Sequence, residues 1–305
     1  MLTRPIVRTR VMAGLAVLVL TLSACGGSSS STSSTTSSTR AGAPTRSETF
    51  TDSTRGRTLP TTLVLPERTT PSPLIVFLHG YDQAPSDYQP LLQAWAEAGF
   101  VVAAPELPKT HHGATGGLDA TDYRNQPADV RFLIDELLRA TAADRGPLAG
   151  RIDPARVGVA GHSLGAEVVI GMLNNCCFDS RVRAAVSLAG SEFFEPDQPA
   201  FPSVTAFAAS VPVLFVHGDA DRDNPYARSQ TAFARARAPK FLETLVGADH
   251  RVPYQSAPAR ERSAQVVAAV TVDFFQRYLE DRPDALDRMT SDGNVAGIAR
   301  LEATP

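Results

Sequence analysis

Residues 155–175, "ARVGVAGHSLGAEVVIGMLNN", read as two pieces joined at one serine. As far as Ser163 the run is short and apolar, as in a strand buried on both faces. From Leu164 onward the apolar residues recur with a helical period. Gly161 and Gly165 stand two residues to either side of the serine. A chain that turns sharply from strand to helix on a serine projects the hydroxyl above the sheet edge, and flanking glycines leave room for the crossing. The amides of a helix starting at Leu164, and the positive end of its dipole, would point at a developing anion. The plainer reading is a serine N-cap between two closely packed elements.

The segments on either side extend the pattern. "SETFTDSTRGRTLPTTLVLPE" (47–67) reads as two strands around a polar turn, with Pro60 suited to an edge. "LIVFL" (74–78) and "FVVAAPEL" (100–107) read as buried strands, separated by a helix over 87–99 that Ser86 can cap and Gly99 ends. Trp95 falls on the apolar side of that helix and reads as core. A long loop (108–126) leads to a strong helix over 127–144. Strands are expected again at 182–190, 211–218 and 240–247, with helices around 224–237 and 257–280. Strand and helix alternate after the opening hairpin. The expectation is an α/β fold with a mostly parallel sheet, helices on both faces and an N-terminal antiparallel hairpin. Such sheets carry their sites at the carboxyl ends of the strands. "HGYDQ" (79–83), "GHSLG" (161–165), "HGDADRD" (217–223) and "GADHR" (247–251) all fall there.

A serine hydroxyl is a weak nucleophile without a base. Of six histidines, His79 and His217 close strand-terminal His-Gly pairs and read as packed rings bonded to backbone. His162 adjoins the serine and is expected to point away from it. His111 and His112 lie in the long loop, where a pair without a third ligand reads as solvent- or substrate-lining. His250 follows a strand and a short turn on the same sheet edge, and is the candidate base. A base of this kind needs an orienting carboxylate. Asp219, Asp221 and Asp223 compete for that place, whereas Asp249 is too close to His250 in sequence to face it. Two backbone amides should receive the anionic oxygen: Leu164, after the serine, and Tyr81, in the loop after Gly80.

Together, "PLIVFLHGYDQAPSDYQPLLQAWAEAGFVVAAPELP", "GHSLGA", "VPVLFVHGDADRDNPY" and "GADH" resemble the α/β-hydrolase superfamily, and most nearly its dienelactone-hydrolase-like, chlorophyllase-like and polyester-hydrolase-like esterases. The order serine, acid, histidine belongs to that fold. The family's acid lies four residues past the histidine of a strand-terminal His-Gly, which maps onto Asp221. The resemblance implies hydrolysis of carboxylic esters through an acyl-serine, by Ser163, His250 and Asp221, without metal or organic cofactor. Two features depart from the named subfamilies. Dienelactone hydrolases use cysteine where this chain has Ser163, and cutinase-like polyester hydrolases carry a late disulfide, whereas no cysteine follows Cys177. A peptidase or amidase on the same fold, or a surface protein that reuses the fold for binding, are the alternatives. "SEFFEPDQPAFPSVTAF" (191–207) reads as the lining of an acyl pocket or as a covering loop.

The first 46 of the 305 residues do not read as part of this fold. Arg4, Arg8 and Arg10 precede a twelve-residue apolar run (11–22), too short to span a bilayer and laid out as a secretory signal. Leu22-Ser23-Ala24-Cys25 resembles a bacterial lipobox, which implies cleavage after residue 24 and a lipid on Cys25. Residues 25–46, with twelve consecutive Ser or Thr, then read as a disordered tether with a reach of roughly 25 Å. Hydrolase residues follow over 47–281, and 282–305 reads as a C-terminal tail that packs back as a final turn or simply trails. Loss of the signal leaves 26 basic against 32 acidic residues, a net of −6 without a basic cluster, so nucleic acid is not an expected partner. The expected partners are an ester substrate and, through Cys25, the extracytoplasmic face of the cell membrane, with the protein a monomer. Cys176 and Cys177 read as small apolar fillers or as a vicinal disulfide.

Overall fold

Five consecutive apolar residues, Leu74–Leu78, can be buried together only if both faces of their strand are covered, because successive side chains alternate between faces. The computed structural model, which describes residues 42–174, 177–190, 207 and 210–305, covers both. Leu74, Val76 and Leu78 join one core with Val157, Val159, Leu133 and Val168. Ile75 and Phe77 join another with Trp95, Phe274 and Phe275. Between the two cores lies one nine-stranded sheet.

The strands are β1 (Thr45–Asp52), β2 (Arg57–Val64), β3 (Ser72–Leu78), β4 (Val101–Pro105), β5 (Ile152–His162), β6 (Val182–Leu188), β7 (Val213–Gly218), β8 (Lys240–Leu245) and β9 (Ala299–Thr304). Their spatial order is β1-β2-β4-β3-β5-β6-β7-β8-β9. The six from β4 to β8 in that order are parallel, β1 and β2 form the antiparallel hairpin, and β9 closes the far edge antiparallel to β8. Helices α1 (Gln89–Glu97), α2 (Gln126–Ala142), α3 (Leu164–Met172), α4 (Tyr226–Arg235), α5 (Val252–Gln255), α6 (Arg262–Leu279) and α7 (Asp284–Asp292) fill the connections. α2, α3 and α4 contribute to the first core, and α1, α6 and α7 to the second. Buried Trp95 closes the α1–α6 contact, its indole N–H donating to Thr271 Oγ1 at 2.8 Å.

Several expectations are corrected. Ser86 does not cap α1. It sits inside a 3-10 turn (Pro85–Tyr88), and the Asp87 carboxylate accepts the Ala84 amide instead, at 2.8 Å. Pro60 is not on an edge strand, since β2 has neighbours on both sides. It lies one residue beyond the register with β4, which begins at Thr61, so its missing N–H interrupts no ladder bond there. Residues 282–305 are not a tail, because they carry α7 and β9. Arg288 ties α7 to α6 through Asp273 (2.8 Å) and Gln276 (2.6 Å). β1 begins at Thr45, inside the expected tether. Cys177 is disulfide-bonded, so it is not a free filler. Cys25, the apolar leader and most of 191–209 lie outside the described residues, and among those described no helix is long and apolar enough to cross a membrane.

Glu243, on β8, is fully buried, and neither carboxyl oxygen has a hydrogen-bond partner among the described residues. Burial pushes its pKa up to about 9. The folded protein therefore keeps a proton that the unfolded chain releases above its ordinary value of 4.5, and stability is lost as pH rises between the two values. Glu243→Gln removes that loss. The variant's Tm should exceed that of the wild type, by a margin that widens by more than about 5 °C between pH 5 and pH 9. Parallel Tm–pH curves would contradict a neutral buried acid.

Candidate active site

Ser163 occupies the single-residue joint between β5 and α3, with φ 52° and ψ −120°. A non-glycine residue held there costs of order 1–3 kcal/mol, so the surroundings must impose it. Its amide donates to Leu188 O at 2.9 Å, and its carbonyl accepts from the Glu167 amide at 3.0 Å. The flanking glycines are required by contact. A Cβ on Gly161 would lie 2.8 Å from the Ala166 amide nitrogen and closer still to Gly165, and one on Gly165 would run into the carbonyl of Leu78. Strand β5, the neighbouring β3 and helix α3 meet so closely that only bare backbone fits.

The hydroxyl so presented meets an imidazole, and the imidazole meets a carboxylate. His250 Nε2 lies 2.9 Å from Ser163 Oγ, and His250 Nδ1 lies 2.7 Å from Asp221 Oδ2. With Nδ1–H donating to the carboxylate, Nε2 is left to accept the serine proton. His250 is carried by the loop after β8, and Asp221 by the turn after β7. Asp221 is the convergence point of four donors. Its Oδ1 accepts the amides of Asp223 (2.9 Å) and Asn224 (2.8 Å), and its Oδ2 accepts from His217 Nε2 (3.0 Å) as well as from His250. Burial alone would raise the carboxyl pKa. The hydrogen bonds from His217, His250 and the Asn224 amide outweigh it and hold the group far below the usual carboxylate range.

The competing aspartates are elsewhere. Asp219 accepts the Gly247 amide at 2.7 Å, and exposed Asp223 reaches the site only through its own amide. Asp249 accepts the amides of Arg251 (2.9 Å) and Val252 (2.8 Å), which starts α5. His79 is a packed ring, between Gly80 O (2.7 Å) and the Leu107 amide (3.0 Å). Burial lowers its pKa to about 4. His162 is fully buried, with its nitrogens 2.7 Å from Tyr88 Oη and 2.7 Å from the His250 backbone oxygen. His112 lies between the carboxylates of Asp82 (3.0 Å) and Asp87 (3.3 Å), and His111 bridges in strand fashion to Gln83. The 108–126 loop thus straps the segment after β3.

That segment lies directly against the Ser163 turn, because a Cβ on Gly80 would fall 3.2 Å from both Ser163 Cβ and His162 Nδ1. The next amide is that of Tyr81. Neither it nor the Leu164 amide at the start of α3 has an acceptor among the described residues. A cleft of about 300 Å³ opens beside His250, lined by Ala220, Arg222, Asp223, Asp249, His250 and Arg251. Among the described residues, no three His, Cys, Asp or Glu side chains converge in a way that could hold a metal ion. Of residues 191–207, only Phe207 is described; it is buried and bridges to Asn174.

Sequence reasoning undervalued His217. The ring does bond backbone, at Asn224 O (2.8 Å), but it also bonds the Asp221 carboxylate, and its other nitrogen meets Ser229 Oγ at 2.7 Å. The four-residue spacing from His217 to Asp221 was the available signal.

The Chlorophyllase family model matches residues 38–208 of this chain, a span that contains Tyr81, Ser163 and Leu164 and ends before Asp221 and His250. A protein from Bacillus subtilis (strain 168) named "Putative esterase YitV" is 24% identical over 253 residues, 68% of this chain and 89% of its own length. "Esterase YjfP" of Escherichia coli (strain K12) is 27% identical over 184 residues, 59% of this chain and 66% of its own length.

Proposed function

Because this chain belongs to the chlorophyllase family of α/β-hydrolases, we infer that its ester-hydrolase chemistry runs through an acyl-enzyme on Ser163, with His250 as general base and Asp221 as its orienting acid. The carrying observation is the unbroken Ser163–His250–Asp221 hydrogen-bond line on the strained strand-to-helix joint. His250 Nε2 removes the Ser163 proton as Oγ attacks the ester carbonyl. The Tyr81 and Leu164 amides receive the oxyanion; losing one such donor typically costs on the order of 100-fold in rate. The imidazolium, steadied by Asp221, then protonates the leaving alkoxide. Water repeats the sequence on the acyl-serine and releases the acid. A panel of p-nitrophenyl esters from acetate to long acyl chains tests this. The expected result is turnover with an initial burst of p-nitrophenol near one equivalent of enzyme, where deacylation limits the rate. No turnover on any ester in the panel would end the reading.

The lipobox-like Leu22–Cys25 supports placing the enzyme on the extracytoplasmic face of the cell membrane, held by a lipid on Cys25. A Cys25→Ser protein that stays in the membrane fraction would remove that placement.

A further inference from the structure

The oxyanion loop and the base reach the site from opposite sides of the nucleophile strand. Gly80 and Tyr81 follow β3, and His250 follows β8. Nothing covalent near the site holds them at a set distance. A buried chain of hydrogen bonds does. The Gly80 amide donates to Tyr88 Oη at 3.2 Å, Tyr88 Oη lies 2.7 Å from His162 Nδ1, and His162 Nε2 lies 2.7 Å from the backbone oxygen of His250. Tyr88 and His162 are both fully buried. The rings pack in a tilted series, with His162 5.5 Å from Tyr88, 4.8 Å from the His250 ring and 4.9 Å from Tyr254.

The proton positions follow from the partners. A backbone oxygen only accepts, so His162 Nε2 carries the hydrogen. Burial lowers the His162 pKa to about 3, so the ring is neutral and Nδ1 is bare. Tyr88 Oη receives the Gly80 amide and holds its one proton between two acceptors, His162 Nδ1 and Gln83 Oε1. Gln83 packs its side-chain amide against Tyr88 Oη and His162 Nδ1. The Gln83 atom that faces both is Oε1, which accepts from Tyr88 Oη.

We propose that Tyr88 and His162 are positioning residues for the ester hydrolysis assigned to Ser163: they tie the oxyanion loop at Gly80 to the backbone of His250, and so fix both around the nucleophile. The inference rests on the reading of Ser163 given above. Oxyanion donors and base act only within a few tenths of an ångström of their places, and a 1 Å error costs about 100-fold. Neither residue touches substrate, so their loss should appear in kcat and not in ground-state binding.

The test uses the full chain. Wild type is first checked for turnover of p-nitrophenyl acetate and for labelling of Ser163 by a fluorophosphonate. Tyr88→Phe deletes one oxygen and keeps the ring that packs edge-on against Phe77. It should lose about 10-fold in kcat with KM within about two-fold. His162→Leu should lose about 100-fold. His162→Gln should recover most of that loss, because its amide nitrogen reaches where Nε2 stood and can again donate to His250 O. Affinity for an alkyl boronic acid, which forms a tetrahedral adduct on serine, should fall with kcat/KM across the series. A purely structural role would lower Tm without that parallel and without rescue by glutamine. Should His162→Leu fail to fold, Tyr88→Phe and His162→Gln still decide. Unchanged kcat and boronate affinity in Tyr88→Phe, in an enzyme labelled at Ser163, overturns this inference alone. A wild type that neither turns over ester nor takes the label overturns it together with the reading it rests on.

Discussion

Ser163→Ala is expected to lower kcat on p-nitrophenyl esters about 10⁶-fold, with KM little changed. The size follows from how the site is built. In the proposed mechanism the hydroxyl oxygen is the atom that bonds to the acyl group, and its proton is the one that His250, 2.9 Å away, removes. Without Oγ the base and acid are left with nothing to activate. What would survive under the proposed mechanism is stabilisation of a water-derived oxyanion by the Tyr81 and Leu164 amides, worth a residual factor of about 10³–10⁴ over solution. Alanine tolerates the position no better than serine, since φ stays at 52°, but it introduces no new clash. Folding should therefore be retained, and Tm separates loss of chemistry from loss of structure.

Asp221→Asn should lower kcat about 10⁴-fold and, unlike the serine variant, should also lower Tm. Four donors converge on this carboxylate: His250 Nδ1, His217 Nε2 and the amides of Asp223 and Asn224. A carboxylate accepts all four. An amide side chain accepts on one atom only, and its NH2 must face either two backbone N–H groups or two imidazole N–H groups. If it faces the imidazoles, His250 is driven to the tautomer with its proton on Nε2, pointing at Ser163, and the base is gone. If it faces the backbone, the turn after β7 is strained. The carboxyl's depressed pKa gives the same sign for stability. Its contribution is present above the unfolded value of 3.8 and is lost as pH falls through the lower folded value. The asparagine variant lacks that contribution across the neutral range, and equal Tm values at pH 7 would contradict the four-donor account.

Much of the fold could be read from the sequence because buried parallel strands advertise themselves. "LIVFL" and "FVVAA" are apolar throughout, as burial on both faces demands, and they became β3 and β4. β9 hid for the opposite reason. "ARLEAT" buries only Ala299 and leaves Arg300, Glu302, Ala303 and Thr304 exposed, so its strand character comes from pairing with β8 and not from its own pattern. Helix α1 could be read from its period, but its start could not, because a tertiary-packed 3-10 turn replaced the serine cap.

The same division runs through the site. The glycine spacing around Ser163 and the loop position of His250 pointed to both residues without help, and the structure brings them within hydrogen-bond distance. Among Asp219, Asp221 and Asp223 the local pattern left the choice open and the family resemblance selected Asp221, the carboxylate that lies 2.7 Å from His250 Nδ1. Tyr88 and His162 lay further out of reach. A tyrosine at the end of a turn and a histidine beside a serine become a linked pair only when β3 lies beside β5 and the loop after β8 reaches the same sheet edge.

The most direct measurement is the location of a fluorophosphonate adduct by peptide mass spectrometry, taken alongside residual ester hydrolysis. The account predicts one adduct per chain, on the peptide carrying Ser163, with activity falling in proportion to its occupancy. Ester hydrolysis that persists when Ser163 is fully modified, or an adduct on another residue that tracks the loss, would contradict it.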